Sequence, residues 1–438
     1  MDRLPNELLL AIGKHAQEDG CAQSTLHSLS LTCRRFHDLF SPLMYSYISS
    51  DNFTESFIGL IMRMWRQPEL ARQVHRLDLC WSQCDQHDPL EMNDEMQSFI
   101  KHALEDIFTT EEQEQKELWT EHLHGEEGIC GEAWLGLFLV RLTNLRILEF
   151  QHEHSDLVSE ILLKAAKRQQ PFHHEPPFPH LKEVRACVAW GVSWIDSGFV
   201  EPFFYFPQVR KIYGTAIGEK KDEDMDLKSY QDVCPVQDIT VEEGYWCRGM
   251  LDWLAVCTHL EHISIRVEIQ ADEYDLDEEK QFDASKFRLA LLPFTTTLKT
   301  LRIGYGDAYK DQVVAEKDVV ENPFGSFKDF NVLETLKVRH DHLMKSPDNS
   351  ILNWDMKPLT EILPHCLVNL EITDIMFDYH LELSSQLLKL LRAVNFSVNL
   401  RKLKLGIFLA DGEELGDVFD DLKLECQVAN VCLKIEIA

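Results

Sequence analysis

The chain of 438 residues has no run of eighteen consecutive apolar residues, the length below which a helix does not cross a bilayer. It is poor in positive charge. Its 43 Lys and Arg stand against 74 Asp and Glu, a formal net charge of −31, and a surface of that sign repels polyanions. A general nucleic-acid or anionic-membrane surface is therefore excluded. With 19 glycines and 16 prolines, the composition is neither fibrous nor that of a low-complexity linker. No Gly-rich phosphate loop, Gly-x-Ser-x-Gly elbow or His-Glu-x-x-His pair occurs, so the enzymes that carry those local motifs are removed, although a dispersed Cys–His or carboxylate pair leaves no such trace. Asp2, Arg3 and Glu7 interrupt the only early apolar stretch, so no secretory signal is expected and a soluble cytoplasmic or nuclear protein is. The 12 cysteines are ordinary usage, and Cys187, Cys257, Cys366 and Cys432 sit in apolar patterns as reduced, buried thiols would.

What is present begins at the N-terminus. Leu4-Pro5-x-Glu7-Leu8-Leu9-x-x-Ile12 has helical spacing with a proline where a first-turn N–H is dispensable. Ser24 or Thr25 can cap a second helix in which Leu26, Leu29, Ser30, Cys33, Phe36 and His37 recur near a period of 3.6. Pro42 marks the turn into a third helix or an extended piece. About forty residues bury too little to stand alone, so this unit needs a partner surface or the domain that follows. An N-terminal helical cap on a larger domain satisfies the same periodicity. The combination of Leu4-Pro5-x-Glu7-Leu8-Leu9-x-x-Ile12 with Leu31-Thr32-Cys33-Arg34-Arg35-Phe36 is more specific, and it resembles an F-box, most closely those of fungal F-box proteins. The resemblance implies a receptor subunit of an SCF-type ubiquitin ligase that binds the Skp adaptor, and through it a cullin and a RING subunit. It assigns the adaptor contact to Leu4, Pro5, Leu8, Ile12, Leu29, Leu31 and Phe36, and it implies no catalytic residue and no cofactor. Gly13 and His15-Ala16 depart from the family pattern, in which the first helix continues on apolar residues.

The rest of the chain repeats one pattern: apolar, two residues, apolar, one residue, apolar. It occurs as Val74-Leu77-Leu79, Leu145-Leu148-Phe150, Leu181-Val184-Ala186, Val209-Ile212, Val236-Ile239-Val241 and Leu260-Ile263-Ile265, then as Leu298-Leu301-Ile303, Leu333-Leu336-Val338, Leu367-Leu370-Ile372, Leu400-Leu403-Leu405 and Val428-Val431-Leu433. Helical signatures at Ala133–Val140, Met250–Val256 and Leu387–Leu391 lead into the following copies. Strand and helix in alternation predict an α/β fold with parallel strands inside and helices outside. The stretch resembles the leucine-rich-repeat region found behind many F-boxes. An irregular repeat solenoid over 51–438 is thus expected after an F-box at 1–50. Two irregularities stand out. The asparagine that usually follows each strand is missing, and a segment from about 85 to 132 inserts an amphipathic helix (Met92, Met96, Phe99, Ile100, Ala103, Leu104, Ile107) and an acidic loop.

If the pattern residues point to the core, those between them face the opposite, concave side. In the C-terminal half these include Arg266, Arg302, Lys337, Arg339, Lys402 and Lys404, which predicts a basic floor. Such cations either pair internally with acidic loops or receive an acidic segment of a protein substrate. The acidic stretches around Glu111–Glu114, 222–226 and 272–279 read as solvated faces. Cys80-x-x-x-Cys84-x-x-His87 is the one tight Cys/His cluster; without a second cysteine pair it does not read as a zinc site, and no metal is expected. His340-x-His342 and His173-His174 read as loop or surface residues. Two functions fit these surfaces: a substrate receptor of the ligase, or a scaffold that binds the adaptor or other proteins without ubiquitin transfer.

Overall fold

A computed structural model describes residues 4–16, 22–50, 54–80, 92–124, 129–152, 156–188, 194–219, 234–268, 282–306, 323–344, 357–393, 399–409 and 415–437. Three helices open the chain: α1 (Asn6–Ala16), α2 (Ala22–Ser30) and α3 (Arg34–Ser46). The apolar periodicity from Leu26 to His37 reads as one helix but is two, because the chain breaks at Leu31-Thr32-Cys33. There the Leu31 N–H donates to the His27 carbonyl and Thr32 N–H to the Leu29 carbonyl, each at 3.1 Å. α2 also starts before the caps expected at Ser24 or Thr25. Pro42 lies inside α3 rather than at its end.

Leu9, Leu26, Phe36 and Phe40 form the buried centre of this module, with Leu4, Leu29, Leu39, Leu43 and Met44 packed against it. Phe36 and Phe40 meet edge to face, 5.4 Å between centroids. Gly13 is interior to α1, and a Cβ there would lie 2.8 Å from both Leu43 Cδ1 and Phe40 Cε1. Glycine at this position therefore has a steric role: it lets α1 sit against α3.

The chain divides into two compact units, Met1–Tyr213 with Asp224–Pro235, and Gly214–Glu223 with Val236–Ala438. The first holds β1 (Tyr47–Ser50), β2 (Arg76–Cys80), β3 (Ile147–His152), β4 (Glu183–Val188), β5 (Ile195–Asp196) and β6 (Lys211–Gly214), with β1, β2, β3, β4 and β6 side by side in that order. The second holds β7 (Ile217–Gly218), β8 (Asp238–Tyr245), β9 (His262–Glu268), β10 (Thr300–Tyr305), β11 (Thr335–Arg339), β12 (Asn369–Met376), β13 (Lys402–Phe408) and β14 (Cys432–Ile437), again in chain order. The ladders are parallel, and ten of the eleven pattern copies lead into or lie on a strand in the frame read from the sequence.

Register confirms the pattern in nine copies and shifts it in the last, and in the Val209-Ile212 copy both residues are buried. Leu77, Leu148 and Val184 stand in one row, as do Ile239, Ile263, Leu301, Leu336, Leu370 and Leu403. Leu403 is opposite Leu433 and Leu405 opposite Ile435, so the final copy is Asn430-Leu433-Ile435, two residues later than its sequence suggests. Val428 instead ends the helix Asp420–Val428 and is 83% exposed.

Helices fill the gaps as expected at Gly131–Arg141, Leu251–Val256 and His380–Arg392. In the inserted segment the helix Asp94–Ile107 buries the six residues Met96 to Ile107 of its apolar face and is capped by Asn93, whose side chain accepts from Met96 N–H at 2.9 Å. The expected acidic loop is largely a second helix, Gln113–His124, pinned by buried Trp119 and Leu123. Glu112 is not simply solvated: it pairs with Lys164, which is only 4% exposed. Among the cysteines, Cys257 is buried, Cys187 and Cys366 are half-buried, and Cys432 is exposed, because the open face rather than the core takes its position.

Candidate functional site

Two surfaces carry the residues singled out in the sequence. On the three-helix module, Leu8, Ile12 and Leu31 are 53%, 50% and 70% exposed, although the module has a filled interior one position away at Leu9. Leu4 and Leu29 are half-buried against that interior, Pro5 is exposed, and Phe36 lies inside it at 5% exposure. Phe36 thus shapes the face from behind and does not line it. The Leu4-Pro5 turn is held by a residue that periodicity does not single out. Arg35 Nη2 donates to the Leu4 carbonyl at 2.6 Å and to Asn6 Oδ1 at 2.7 Å, while its Nε reaches Asn6 Oδ1 at 3.0 Å. A planar guanidinium with several fixed donors ties the start of α1 to the start of α3, as a lysine could not.

The second surface is the face of β9 to β14 directed away from the core. Its cations are less free than alternation alone suggests. Lys337 and Lys404, on either side of β12, share Glu371 at 3.2 and 3.1 Å. Lys404 also reaches Glu436 at 2.8 Å, and Lys434 reaches the same carboxylate at 2.6 Å. Hydrogen bonds from Lys404 and Lys434 hold the half-buried Glu436 carboxyl down at about 2, and the Glu436 hydrogen bond raises Lys404 in turn. Arg266 pairs with Glu268 at 3.1 Å. Glu268 in turn fills the space beside Gly306, where any Cβ would lie 1.5 Å from its Oε1. Arg302 and Lys402 are exposed, and neither has an ion pair among the described residues.

Arg339 is not part of this floor. It is 5% exposed, with its guanidinium 4.6 Å from the Tyr305 ring centroid and its Nε 3.2 Å from Asp374 Oδ2. Asp374 reaches it from the irregularity between Ile372 and Ile375, with φ 54°, a bulge of the kind that re-aims a side chain. His340 and His342 are likewise interior, at 1% and 0% exposure, because the short helix His340–Leu343 follows β11 directly and folds over the strand ends. Tyr305 Oη and His342 Nε2 lie 3.1 Å apart, and His340 stacks on Tyr379 at 5.1 Å. Burial pushes the Asp341 carboxyl up, but the His340 hydrogen bond and the neighbouring Arg339, His340 and His342 outweigh it and leave it lowered. The His173-His174 pair is on the surface as expected.

In the first unit a groove of about 350 Å³ runs along Trp65, Arg66, Glu95, Phe99, His102 and Asp106. Its carboxylates are engaged: Glu95 with Arg66 at 2.6 Å, and Asp106 with Arg141 at 2.9 Å. Cys84 and His87, like the acidic stretches 222–226 and 272–279, lie outside the described residues. Among the described residues there is no group of three or more His, Cys, Asp or Glu that could hold a metal ion, and no helix long and apolar enough to cross a membrane. No family model and no curated protein matches the chain.

Proposed function

We propose that the chain is the substrate-recognition subunit of an SCF-type ubiquitin ligase, with the three-helix module on the Skp adaptor and an acidic segment of a protein substrate on the open face of the second unit. One observation carries the reading: Leu8, Ile12 and Leu31 are half or more exposed on a module that already has an apolar centre. Surface leucines in such a small unit are the mark of a docking face, and they stand at the positions that the F-box resemblance assigns to adaptor contact. On the substrate side, Arg302 and Lys402 supply cations without an ion pair among the described residues, flanking Lys337 and Lys404. The receptor itself performs no chemistry in this reading; it raises the effective concentration of substrate lysines near the charged conjugating enzyme.

Co-purification from cells with tagged adaptor and cullin, followed by ubiquitination of captured partners, tests both halves. Leu8→Glu with Leu31→Glu should lower adaptor recovery by about a hundredfold or more, since each introduces a charge that docking must desolvate, while leaving substrate capture intact. Arg302→Glu with Lys402→Glu should do the reverse. Adaptor recovery unchanged by the leucine pair refutes the docking face, and capture unchanged by the cation pair refutes the acidic-segment assignment.

A further inference from the structure

The last strand of the second unit presents an edge with a built-in symmetry. β14 runs beside β13 without a register break, from Lys402 opposite Cys432 to Ile407 opposite Ile437. The Cys432 N–H donates to the Arg401 carbonyl at 2.8 Å. Backbone groups alternate along a strand, so those of Cys432, Lys434 and Glu436 point toward β13 and those of Leu433, Ile435 and Ile437 point the other way. No described strand lies along that side. Proline and bulges, which commonly blunt such edges, are absent from β14. On the strand Ile437 is 60% exposed, and on the helix that precedes it Leu424 and Val428 are 61% and 83% exposed. The latter two are one turn apart on the helix Asp420–Val428, opposite its buried Leu422 and Cys426.

We propose that this edge pairs with the same edge of a second copy, antiparallel, with the two-fold axis passing through Ile435. The outward groups decide which registers are possible: Leu433, Ile435 and Ile437 must meet each other, which centres the axis on residue 434, 435 or 436. Centring on Lys434 or on Glu436 sets that residue against its own twin, like charge against like, which is destabilising. Centring on Ile435 sets each Lys434 against the other copy's Glu436, twice by symmetry. It also puts Leu433 against Ile437 and Ile435 against itself, so three residue pairs exchange backbone hydrogen bonds while the charged pairs occupy the closer, non-hydrogen-bonded sites. The sequence Leu433-Lys434-Ile435-Glu436-Ile437 is self-complementary about its middle residue, which is what an isologous contact requires. An axis normal to the sheet keeps the helices of both copies on one side, so Leu424 and Val428 of each flank the same seam. The net charge of −31 opposes association at long range, and salt near 0.15 M shortens that repulsion to about 8 Å.

Sedimentation of the full chain between about 1 and 100 µM at that salt, a range that spans weak to moderate association, gives the test. A species of twice the 50.9 kDa chain mass is expected. Lys434→Glu, which turns both cross-strand pairs repulsive, should raise the dimer dissociation constant by roughly tenfold or more. Adding Glu436→Lys should restore it to within about threefold, since the swapped pair is again complementary and Lys404, which loses Glu436, has Glu at 434 opposite it within the chain. Val428→Glu, at a position with no interior role, should weaken the dimer independently. Monomer throughout, a dimer indifferent to Lys434→Glu, or a double variant no better than the single one each overturn the proposal.

Discussion

The open faces of the two units are each built on a parallel ladder and differ in electrical balance. Along β1 to β4 the face carries Arg76 and Arg185 against Asp78, Glu149 and Glu183. Glu149 lies between the two arginines at 3.0 and 3.8 Å, and Arg185 also holds Glu183 at 2.6 Å. Along β10 to β14 the face carries Arg302, Lys337, Lys402, Lys404 and Lys434 against Glu371 and Glu436. The first face closes its charges on itself. The second repeats the same device, one carboxylate between two cations, but leaves cations over. In a chain with 74 acidic and 43 basic residues, that surplus has no compositional origin, and it is the feature on which the proposed acidic-partner site rests. Individual pairs on either face contribute little to stability, about 0–1 kcal/mol each, so the contrast concerns binding more than folding.

The contrast is sharpest at Arg339, which alternation assigns to the basic face and packing places inside. Arg339→Ala should cost about 3 kcal/mol, the low end for a buried pair, because it leaves the half-buried Asp374 and Asp341 without their cation, whereas Lys337→Ala on the face should stay within about 0.5 kcal/mol. Chemical denaturation measures both, and equal losses would dissolve the distinction between interior and face. A mirrored pair of substitutions comes next. Glu371→Gln frees Lys337 and leaves Lys404 with Glu436 alone, and should tighten capture of an acidic peptide severalfold with a steeper salt dependence. Glu149→Gln frees Arg76 and leaves Arg185 with Glu183 alone, and should leave capture unchanged; if it tightens capture equally, the second face has no special role. The smallest effect is a titration. The Glu436 carboxyl should titrate at about 2, followed by carboxylate NMR, and Lys434→Gln should move it up toward the ordinary carboxylate range. Its folded value is depressed, so whatever its pairing contributes is present above the ordinary carboxylate range and lost as pH falls through about 2.

The strands were legible because the buried rows are nearly all Leu, Ile and Val, and a two-then-one spacing survives any loop length between copies. β1 was not, since its copy, Tyr45-Ile48-Ser50, has one aliphatic residue, and β5 and β7 are too short to show alternation. The final copy misled because Val428, Val431 and Leu433 satisfy the spacing as well as the true frame, which opens on Asn430 with φ 57°. On the basic face, alternation tells which side a residue takes but not what stands on the next strand. Glu371 reaches Lys337 and Lys404 only through register, and aligning the pattern copies as columns exposes that neighbour relation directly. Arg339, His340 and His342 defeat such an alignment. They are buried by a turn that closes over the strand ends, by Tyr305 and by a bulge, none of which has a periodic signature. On the helical module, Gly13 read as a flaw in α1, and its reason lies in Phe40 and Leu43, some thirty residues away.

In the second unit each strand from β8 to β14 is flanked by its neighbours in the chain. Order can therefore spread along the polypeptide one repeat at a time, and loop closure never spans more than one repeat. Hydrogen exchange should accordingly fall into a gradient, slowest at the interior strands and fastest at β14, and anything that seats on that edge should slow exchange progressively back along the array.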